Sequence, residues 1–379
     1  MSKAIKKYAM KDYTLKYYVR TIQDKPCAVI CGIQDLSENF KNNGHLVIPA
    51  KIDKYDVYSI DCNAFMAKWP VRDIVIENGV KRISSNAFSR CDLLKTVSIP
   101  ESVTLIDDFA FTYCPNLKRV TLSEGLEVIK TGTFEHTGLE EINLPNSLIR
   151  IGDAAFRETC IQSINIGPNI NVIGSSAFAT CDKLERVSFS EGVRFIEDYA
   201  FKECFSLESI AFPKSLLEMG YGVIDNCSSL KTIDIGPNTV ILNPKSDFAY
   251  GCFRLEKINI SPLNKNLKVI DDILYDTNEK TLIRVSPSIK NKSIKIPNWV
   301  EYFSDFCFMG VQPDTVTIKS QNIDNLDNSD FNCTKIKCPP GSKIEEKLKR
   351  RFGDRVQISS FQSEIDGFLN SITDSDKHI

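Results

Sequence analysis

Most of this sequence consists of one repeated unit, which restricts the folds that the chain can adopt. An aromatic residue, usually preceded by alanine, recurs every 22 or 23 residues, at Phe65, Phe88, Phe111, Phe134, Phe156, Phe178 and Phe201. A leucine or isoleucine column follows it, at Leu94, Leu117, Leu139, Ile161, Leu184, Leu207, Leu230 and Leu255. One such unit cannot bury its own apolar side chains, whereas stacked units share a continuous core. The period therefore predicts a solenoid.

Each unit also ends in a short stretch in which apolar and polar residues alternate. Val97 and Ile99, for example, alternate with Thr96 and Ser98. A period of two predicts a strand with one face in the core, and its recurrence in every coil predicts a parallel sheet. A second apolar pair follows, such as Val128–Ile129, and the Ala-Phe segment then predicts a short helical or irregular turn.

The unit, written A-F-x-x-C-x-x-L-x-x-I-x-I-P, resembles the BspA-like (type 5) leucine-rich repeats over roughly residues 45 to 338. The resemblance implies an α/β repeat fold, a right-handed leucine-rich-repeat solenoid with a parallel concave β-sheet and short irregular or helical convex segments. It also implies an adhesin-like protein that binds macromolecules at a cell surface.

The ends of the chain depart from the repeat, as a solenoid core must be closed by atypical units. The predicted division is a cap with a β-hairpin in 1–60, a solenoid in 61–338 and a helical cap or tail in 339–379. In the cap, Tyr13 to Ile22 and Cys27 to Gly32 are expected to pair. In the tail, GSKIEEKLKRRFG and FQSEIDGFLNSIT are expected to form helices.

The solenoid itself is interrupted near residues 268–287. Ile270–Tyr275 and Thr281–Val285 are rich in β-formers and flank a polar turn, which predicts a hairpin insertion. The repeat then resumes, and we expect Phe306 to continue the aromatic column.

The 13 cysteines are an odd number spread over the whole chain, which favours reduced thiols. Six share one slot of the unit: Cys91, Cys114, Cys181, Cys204, Cys227 and Cys252. Side chains in a stacked ladder point in parallel, which opposes the dihedral angle that a disulfide needs. We expect these cysteines to be small buried residues. Because CxxC pairs and neighbouring histidines are missing, no metal and no cofactor are expected.

Catalytic patterns are equally scarce. The three histidines, His45, His136 and His378, are far apart in sequence, and no P-loop, H-E-x-x-H or G-x-S-x-G motif occurs. The pairs Asp107–Asp108 and Asp271–Asp272 are expected to be solvated turn acids. We predict a non-enzymatic protein. The alternative is an enzyme with a site in 261–338, where Asp271, Asp272 and Cys307 are the candidate groups.

The outward positions of the strands are the expected binding surface, because repeat proteins use such extended sheet faces. These positions are small, polar or charged and include no aromatic ring, which argues against stacking of sugars or bases. We predict a protein or other macromolecular partner, with a glycan as the alternative. The candidate contacts are Arg119, Glu141, Asn143, Asn165, Arg186, Asp234 and Lys257.

Composition limits the partner and the compartment. Lys plus Arg (47) nearly balance Asp plus Glu (49), so the basic surface typical of nucleic-acid binding is not expected. No apolar run reaches 18 residues, so membrane insertion is not expected either. The N-terminus lacks a signal-peptide pattern, which by itself predicts the cytoplasm, whereas the resemblance predicts the surface. A monomer is expected.

Overall fold

The computed structural model describes residues 4–67, 70–289, 292–326 and 332–358. The chain forms a solenoid of stacked coils with walls of short parallel strands and little helix. The first elements are β1 (Lys6–Ala9), β2 (Thr14–Ile22), β3 (Lys25–Gln34), α1 (Glu38–Asn43), β4 (His45–Ile48), β5 (Lys51–Ile52) and β6 (Tyr55–Ile60).

The expected N-terminal hairpin is confirmed, since β2 and β3 pair antiparallel and β1 adds to the edge of β2. The cap joins the coils directly, because β3 pairs in parallel with β6. The helix α1 was not predicted. Its first turn is capped by Ser37, whose Oγ accepts the Phe40 N–H at 3.1 Å, and it ends at Gly44 with φ of 63°.

Most central coils contribute two strands, one longer and one of two residues, and the coil that contains Arg150 and Ile151 contributes only the shorter one. They are β7 (Asp73–Ile76), β8 (Arg82–Ile83), β9 (Thr96–Ser98), β10 (Leu105–Ile106), β11 (Arg119–Thr121), β12 (Val128–Ile129), β13 (Arg150–Ile151), β14 (Ser163–Ile166), β15 (Val172–Ile173), β16 (Arg186–Phe189), β17 (Phe195–Ile196), β18 (Ser209–Ala211), β19 (Glu218–Met219), β20 (Thr232–Ile235), β21 (Val240–Ile241) and β22 (Lys257–Ile260).

These strands build two walls. The two-residue strands form one of them, in which β12, β13, β15, β17, β19 and β21 make a continuous parallel sheet. The longer strands form the other wall as three separate sheets, β4–β7–β9–β11, β14–β16 and β18–β20–β22. The Ala-Phe segments form a third wall of irregular turns that bond from coil to coil. The Phe88 N–H, for example, donates to the Ala110 carbonyl at 2.9 Å.

The aromatic column is the centre of the core. The seven phenylalanines predicted from the repeat are fully buried, with no exposed surface. Their rings stack in parallel, with centroids 5.1 Å apart at Phe65–Phe88 and 5.6 Å apart at Phe111–Phe134 and Phe134–Phe156. Spacing close to the separation of adjacent strands lets one ring per coil fill the interior.

The cysteine column is buried and reduced, as predicted. Each Sγ donates to the main chain of the coil before. The Cys114 thiol reaches the Phe88 carbonyl at 3.2 Å, and that of Cys181 reaches the Phe156 carbonyl at 3.1 Å. Burial raises the pKa of Cys181 to about 11. Such thiols satisfy a carbonyl and remain protonated.

The remaining elements follow the central coils. They are β23 (Leu267–Ile270), β24 (Ile273–Asp276), β25 (Thr281–Val285), β26 (Ser293–Ile296), β27 (Tyr302–Phe303), β28 (Thr315–Ile318), β29 (Lys335–Cys338), α2 (Lys343–Phe352), a 3₁₀ turn (Gly353–Arg355) and β30 (Val356–Ile358). The first predicted tail helix is α2, while the second, in 361–373, lies outside the described residues. The division into cap, solenoid and tail stays a prediction, and β4 and β6 already pair in parallel with β7 and β8.

The insertion is a hairpin of β24 and β25, and both faces of these strands are buried. Leu274 and Ile283 point into the core of the preceding coils, while Tyr275 and Leu282 point into the core that follows. The hairpin thus separates two apolar clusters. The expected start at Ile270 is wrong, because Ile270 ends β23 and a tight turn precedes β24.

Two further expectations are wrong. Phe306 is 41% exposed, and Phe308 fills the aromatic position instead, since it follows Cys307 as phenylalanine follows alanine in other coils. Asp107 is a buried turn acid and not a solvated one. Its carboxylate accepts from Arg82 Nε at 2.6 Å and from Lys130 Nζ at 2.8 Å, so cations of the two adjacent coils neutralise it.

Candidate functional site

The outward side of the longer strands, here called the long-strand face, carries the seven residues predicted to bind a partner. Alternation along each strand sends its apolar residues inward, as with Ile164 and Ile166, and leaves Ser163 and Asn165 outside. All seven predicted side chains are exposed: Arg119, Glu141, Asn143, Asn165, Arg186, Asp234 and Lys257.

These side chains are also poorly engaged within the chain. Asp234 accepts a hydrogen bond from Asn259 Nδ2 at 2.6 Å. The other six side chains make no hydrogen bond or ion pair with any residue that the structure describes. The charged residues next to Arg119 and Glu141 in the sequence do form an ion pair, since Lys118 Nζ lies 2.7 Å from Glu140 Oε1. The long-strand face therefore presents charged groups that form no ion pair or hydrogen bond within the described part of the chain.

The sheet behind this face opens at one coil. Residues 141–144 form no strand, and no ladder joins β11 to β14 across them. Ile142, within the opening, and Val120, in the strand before it, are each 8% exposed, whereas Val97 and Ile164 are 2% exposed. On the opposite wall β12 and β13 remain paired. The opening is thus confined to the long-strand side.

A groove lies at the corner where the Ala-Phe turns lead into the longer strands, beside this opening. We call it the corner groove. Its volume is about 830 Å³, and its lining comes from five successive coils. The lining residues are Ala67, Arg90, Asp92, Tyr113, Pro115, His136, Thr137, Gly138, Glu158 and Cys160.

Two shortened coils explain the groove. Most coils place two residues between the cysteine slot and the leucine, as with Pro115 and Asn116 before Leu117. The next two coils place one residue there, Gly138 and then Cys160, which gives the intervals of 22. The corner thus has one residue fewer at these coils, and Gly138 adds no side chain there. Threonine takes the cysteine slot here, and Thr137 Oγ1 donates to the Phe134 carbonyl at 2.8 Å.

One rim of the groove is a ladder of side chains from equivalent positions. The Arg90 guanidinium lies over the Tyr113 ring, 5.4 Å from its centroid. The other face of that ring stacks on His136, with centroids 4.2 Å apart and planes 17° apart. His136 Nδ1 lies 2.7 Å from Glu158 Oε2, which fixes the imidazole. The rim is thus ordered before any ligand arrives.

The candidate enzymatic residues of 261–338 lie in a turn and in the core. Asp271 and Asp272 occupy the β23–β24 turn with φ of 50° and 61°, and Cys307 is fully buried. Within the described ranges, no group of three or more His, Cys, Asp or Glu side chains is arranged to hold a metal ion. Of the helices in the part of the chain that the structure describes, none is long and apolar enough to span a membrane.

The long-strand residues lie on the surface, as the sequence predicted, whereas the corner groove was not predicted. His136 was considered only as one of three histidines far apart in sequence, although Arg90, Tyr113 and His136 follow one another at the repeat interval. That spacing, together with two consecutive intervals of 22, was the available signal.

Comparison with known families agrees with this geometry. The family model described as "BspA type Leucine rich repeat region" matches residues 58–185, 150–281 and 286–362, with six copies of the repeat. The chain belongs to this BspA-type family. A search of curated proteins found no match.

The solved structures that this BspA-type chain matches include the following three. A leucine rich cell surface protein from Faecalibacterium prausnitzii A2-165 is 20% identical, with a TM-score of 0.45, and the match covers 95% of this chain and 97% of that one. A leucine-rich repeat protein from Bacteroides ovatus is 20% identical, with a TM-score of 0.45 and coverage of 93% and 99%. The pneumococcal vaccine antigen PcpA is 16% identical, with a TM-score of 0.49 and coverage of 95% and 100%.

Proposed function

We propose that this chain is a non-enzymatic binding protein and that its long-strand face takes a protein partner. The observation that carries the proposal is the set of exposed, unengaged charges on this face, Arg119, Glu141, Arg186 and Lys257 among them. A charge without an intramolecular partner has no ion pair to lose on association. It is therefore free to contribute complementarity and to speed the encounter.

The order of the charges supports a protein surface as the partner. Along the coils the predicted contacts alternate in sign, with acidic Glu141 between basic Arg119 and Arg186, and acidic Asp234 before basic Lys257. A polyanion such as nucleic acid favours a face of one sign. Patches of both signs on another protein match an alternating face better.

Affinity capture with a matched control tests the face. The immobilised chain is compared with the double variant Arg119→Glu/Glu141→Lys and with Lys81→Glu/Glu127→Lys, whose residues are exposed beside the two-residue strands. Both double variants leave the net charge unchanged. A partner held by the wild type and the control, and released at least tenfold faster by the first variant, supports the proposal. Equal retention by all three proteins refutes it.

An adhesin-like role at the cell surface is part of the same proposal. Fractionation of native cells with external protease tests it, because a surface protein is cut while the cells remain intact. Protection from the protease would exclude that role. Glycan-array binding that disappears when Asn143 and Asn165 are replaced by alanine would favour a glycan over a protein as the ligand.

A further inference from the structure

We propose that the corner groove binds an extended polypeptide segment, and that it does so independently of the charges on the long-strand face. The inference rests on the proposed function in one respect, that the ligand is a protein. The corner groove is a second contact site, and its ligand is an extended segment of that protein. Two of the five coils that line the groove are shorter than their neighbours, so the groove is a local feature of this chain and not a property of every repeat.

The dimensions of the groove fit a segment and not a single side chain. Its lining runs from Ala67 to Cys160 over five coils, and the rings in the core beneath are spaced by 5.1 to 5.6 Å. The groove is therefore about 20 Å long, which an extended chain of about six residues spans at about 3.3 Å per residue. Its volume of about 830 Å³ lies within the usual range for binding clefts.

The hydrogen-bonding groups in the groove suit a peptide backbone, which offers both donors and acceptors. The Arg90 guanidinium is a donor, the Asp92 carboxylate is an acceptor, and the Tyr113 hydroxyl is both. His136 uses Nδ1 toward Glu158 Oε2, which leaves Nε2 available to a ligand. None of these four groups has another hydrogen-bond partner among the residues that the structure describes.

The same groups disfavour other ligands. A phosphate or carboxylate needs donors, and here Asp92 and Glu158 would repel it. A sugar or nucleobase would stack on the Tyr113 ring, but Arg90 covers one face of that ring and His136 covers the other. What remains accessible is the ring edge and hydroxyl of a tyrosine that is 44% exposed.

The rim is suited to strong binding because it is preorganised. Tyrosine and arginine are the residues that most often dominate binding energies, and side chains held before binding lose little further rotamer entropy. Below the rim, at the bottom of the groove, there is no room for a side chain at Gly138. A Cβ added at Gly138 would lie 2.3 Å from the Pro115 carbonyl oxygen, so the coils are already in close contact there.

Selection from a random library of linear twelve-residue peptides displayed on phage tests the inference. Synthetic peptides from the enriched pool are measured by fluorescence polarisation against the wild type, Tyr113→Ala, Tyr113→Phe and the control Phe205→Ala. Phe205 is 42% exposed and lies outside the groove, so it matches Tyr113 in exposure. We expect at least a tenfold loss with Tyr113→Ala, a smaller loss with Tyr113→Phe and no change with Phe205→Ala. Tyr113→Phe keeps the ring and removes only the hydroxyl, which separates ligand contact from folding.

The long-strand variant Arg119→Glu/Glu141→Lys distinguishes this inference from the proposed function. We expect it to bind the selected peptides as the wild type does, even where it has lost the captured partner. Peptides that bind all groove variants equally, or a library that yields no binder, would overturn the inference. So would a glycan array whose signal depends on Tyr113. Each of these results leaves the test of the long-strand face unaffected.

Discussion

Replacing Asp225 by asparagine should stabilise the protein at neutral pH and leave it nearly unchanged in acid. The Asp225 side chain is buried at the junction with the inserted hairpin, where the residue is 4% exposed. Burial first, and then repulsion from Asp247, raise the pKa of Asp225 to about 7. The Tyr250 N–H, 3.1 Å from Oδ1, offsets part of this effect.

The sign and size follow from linkage. In the unfolded chain an aspartate loses its proton near pH 4, whereas Asp225 in the folded chain keeps it until about pH 7. The stability that this group contributes is complete below about pH 4 and is lost as the pH rises to about 7. A pKa difference of about three units corresponds to about 4 kcal/mol as an upper bound. Asparagine cannot ionise, so Asp225→Asn should avoid this loss.

Guanidinium unfolding of both proteins at pH 4, 5, 6, 7 and 8 measures the effect. The difference in unfolding free energy should grow between pH 4 and 7 and then level off. A second variant, Asp247→Asn, separates the two causes. In that background the stability difference caused by Asp225→Asn should level off at a lower pH, because the repulsion from Asp247 is gone, but it should not vanish, because Asp225 is still buried. A constant difference between the wild type and Asp225→Asn from pH 4 to 8 would refute the argument, since it would mean that the carboxyl ionises as in the unfolded chain.

Three further outcomes are expected. Phe134→Ala, which removes one ring from the middle of the stack, should lower the unfolding free energy by about 3–5 kcal/mol in guanidinium unfolding. In a native thiol titration Cys62, which is exposed, should react first, while the buried Cys114 should react only after unfolding. The main-chain N–H groups of Asn146 and Ser147 lower the pKa of Glu124, so the stability that this carboxylate adds is present above about pH 4 and is lost as the pH falls. The wild type should then lose its advantage over Glu124→Gln in urea unfolding as the pH is lowered.

The sequence predicted those parts of the fold in which each position repeats. The Phe and Leu columns could be placed because every coil has the same core positions. The alternation of apolar and polar residues along each strand shows which residues face outward. The hairpin insertion was recognised for a similar reason, since its two β-rich runs flank a polar turn. Its exact start was missed because β23 also pairs with β24, so that Asp271 and Asp272 form a turn within a three-stranded unit.

Positions that depend on contacts between coils were harder to predict. Asp107 looks like a turn acid when its own coil is considered alone, yet Arg82 and Lys130 come from the coils before and after it. The error at Phe306 arose because two phenylalanines lie near one slot, and Phe308 is the one that follows a small residue, as in the other coils. Aligning each slot in columns, as for Arg90, Tyr113 and His136, would have revealed the rim of the corner groove.

The opening of the sheet and the corner groove have a common physical origin in the two shortened coils. A coil with one residue fewer on one side is displaced relative to its neighbours on that side. At residues 141–144 the ladder is absent, and the rings on both sides of Phe134 are 5.6 Å apart. The opposite wall stays paired from β12 to β13 and on to β15. The corner groove and the opening thus lie on the side where the coils are shortened, while the two-residue strands opposite and the stacked rings continue through the same coils.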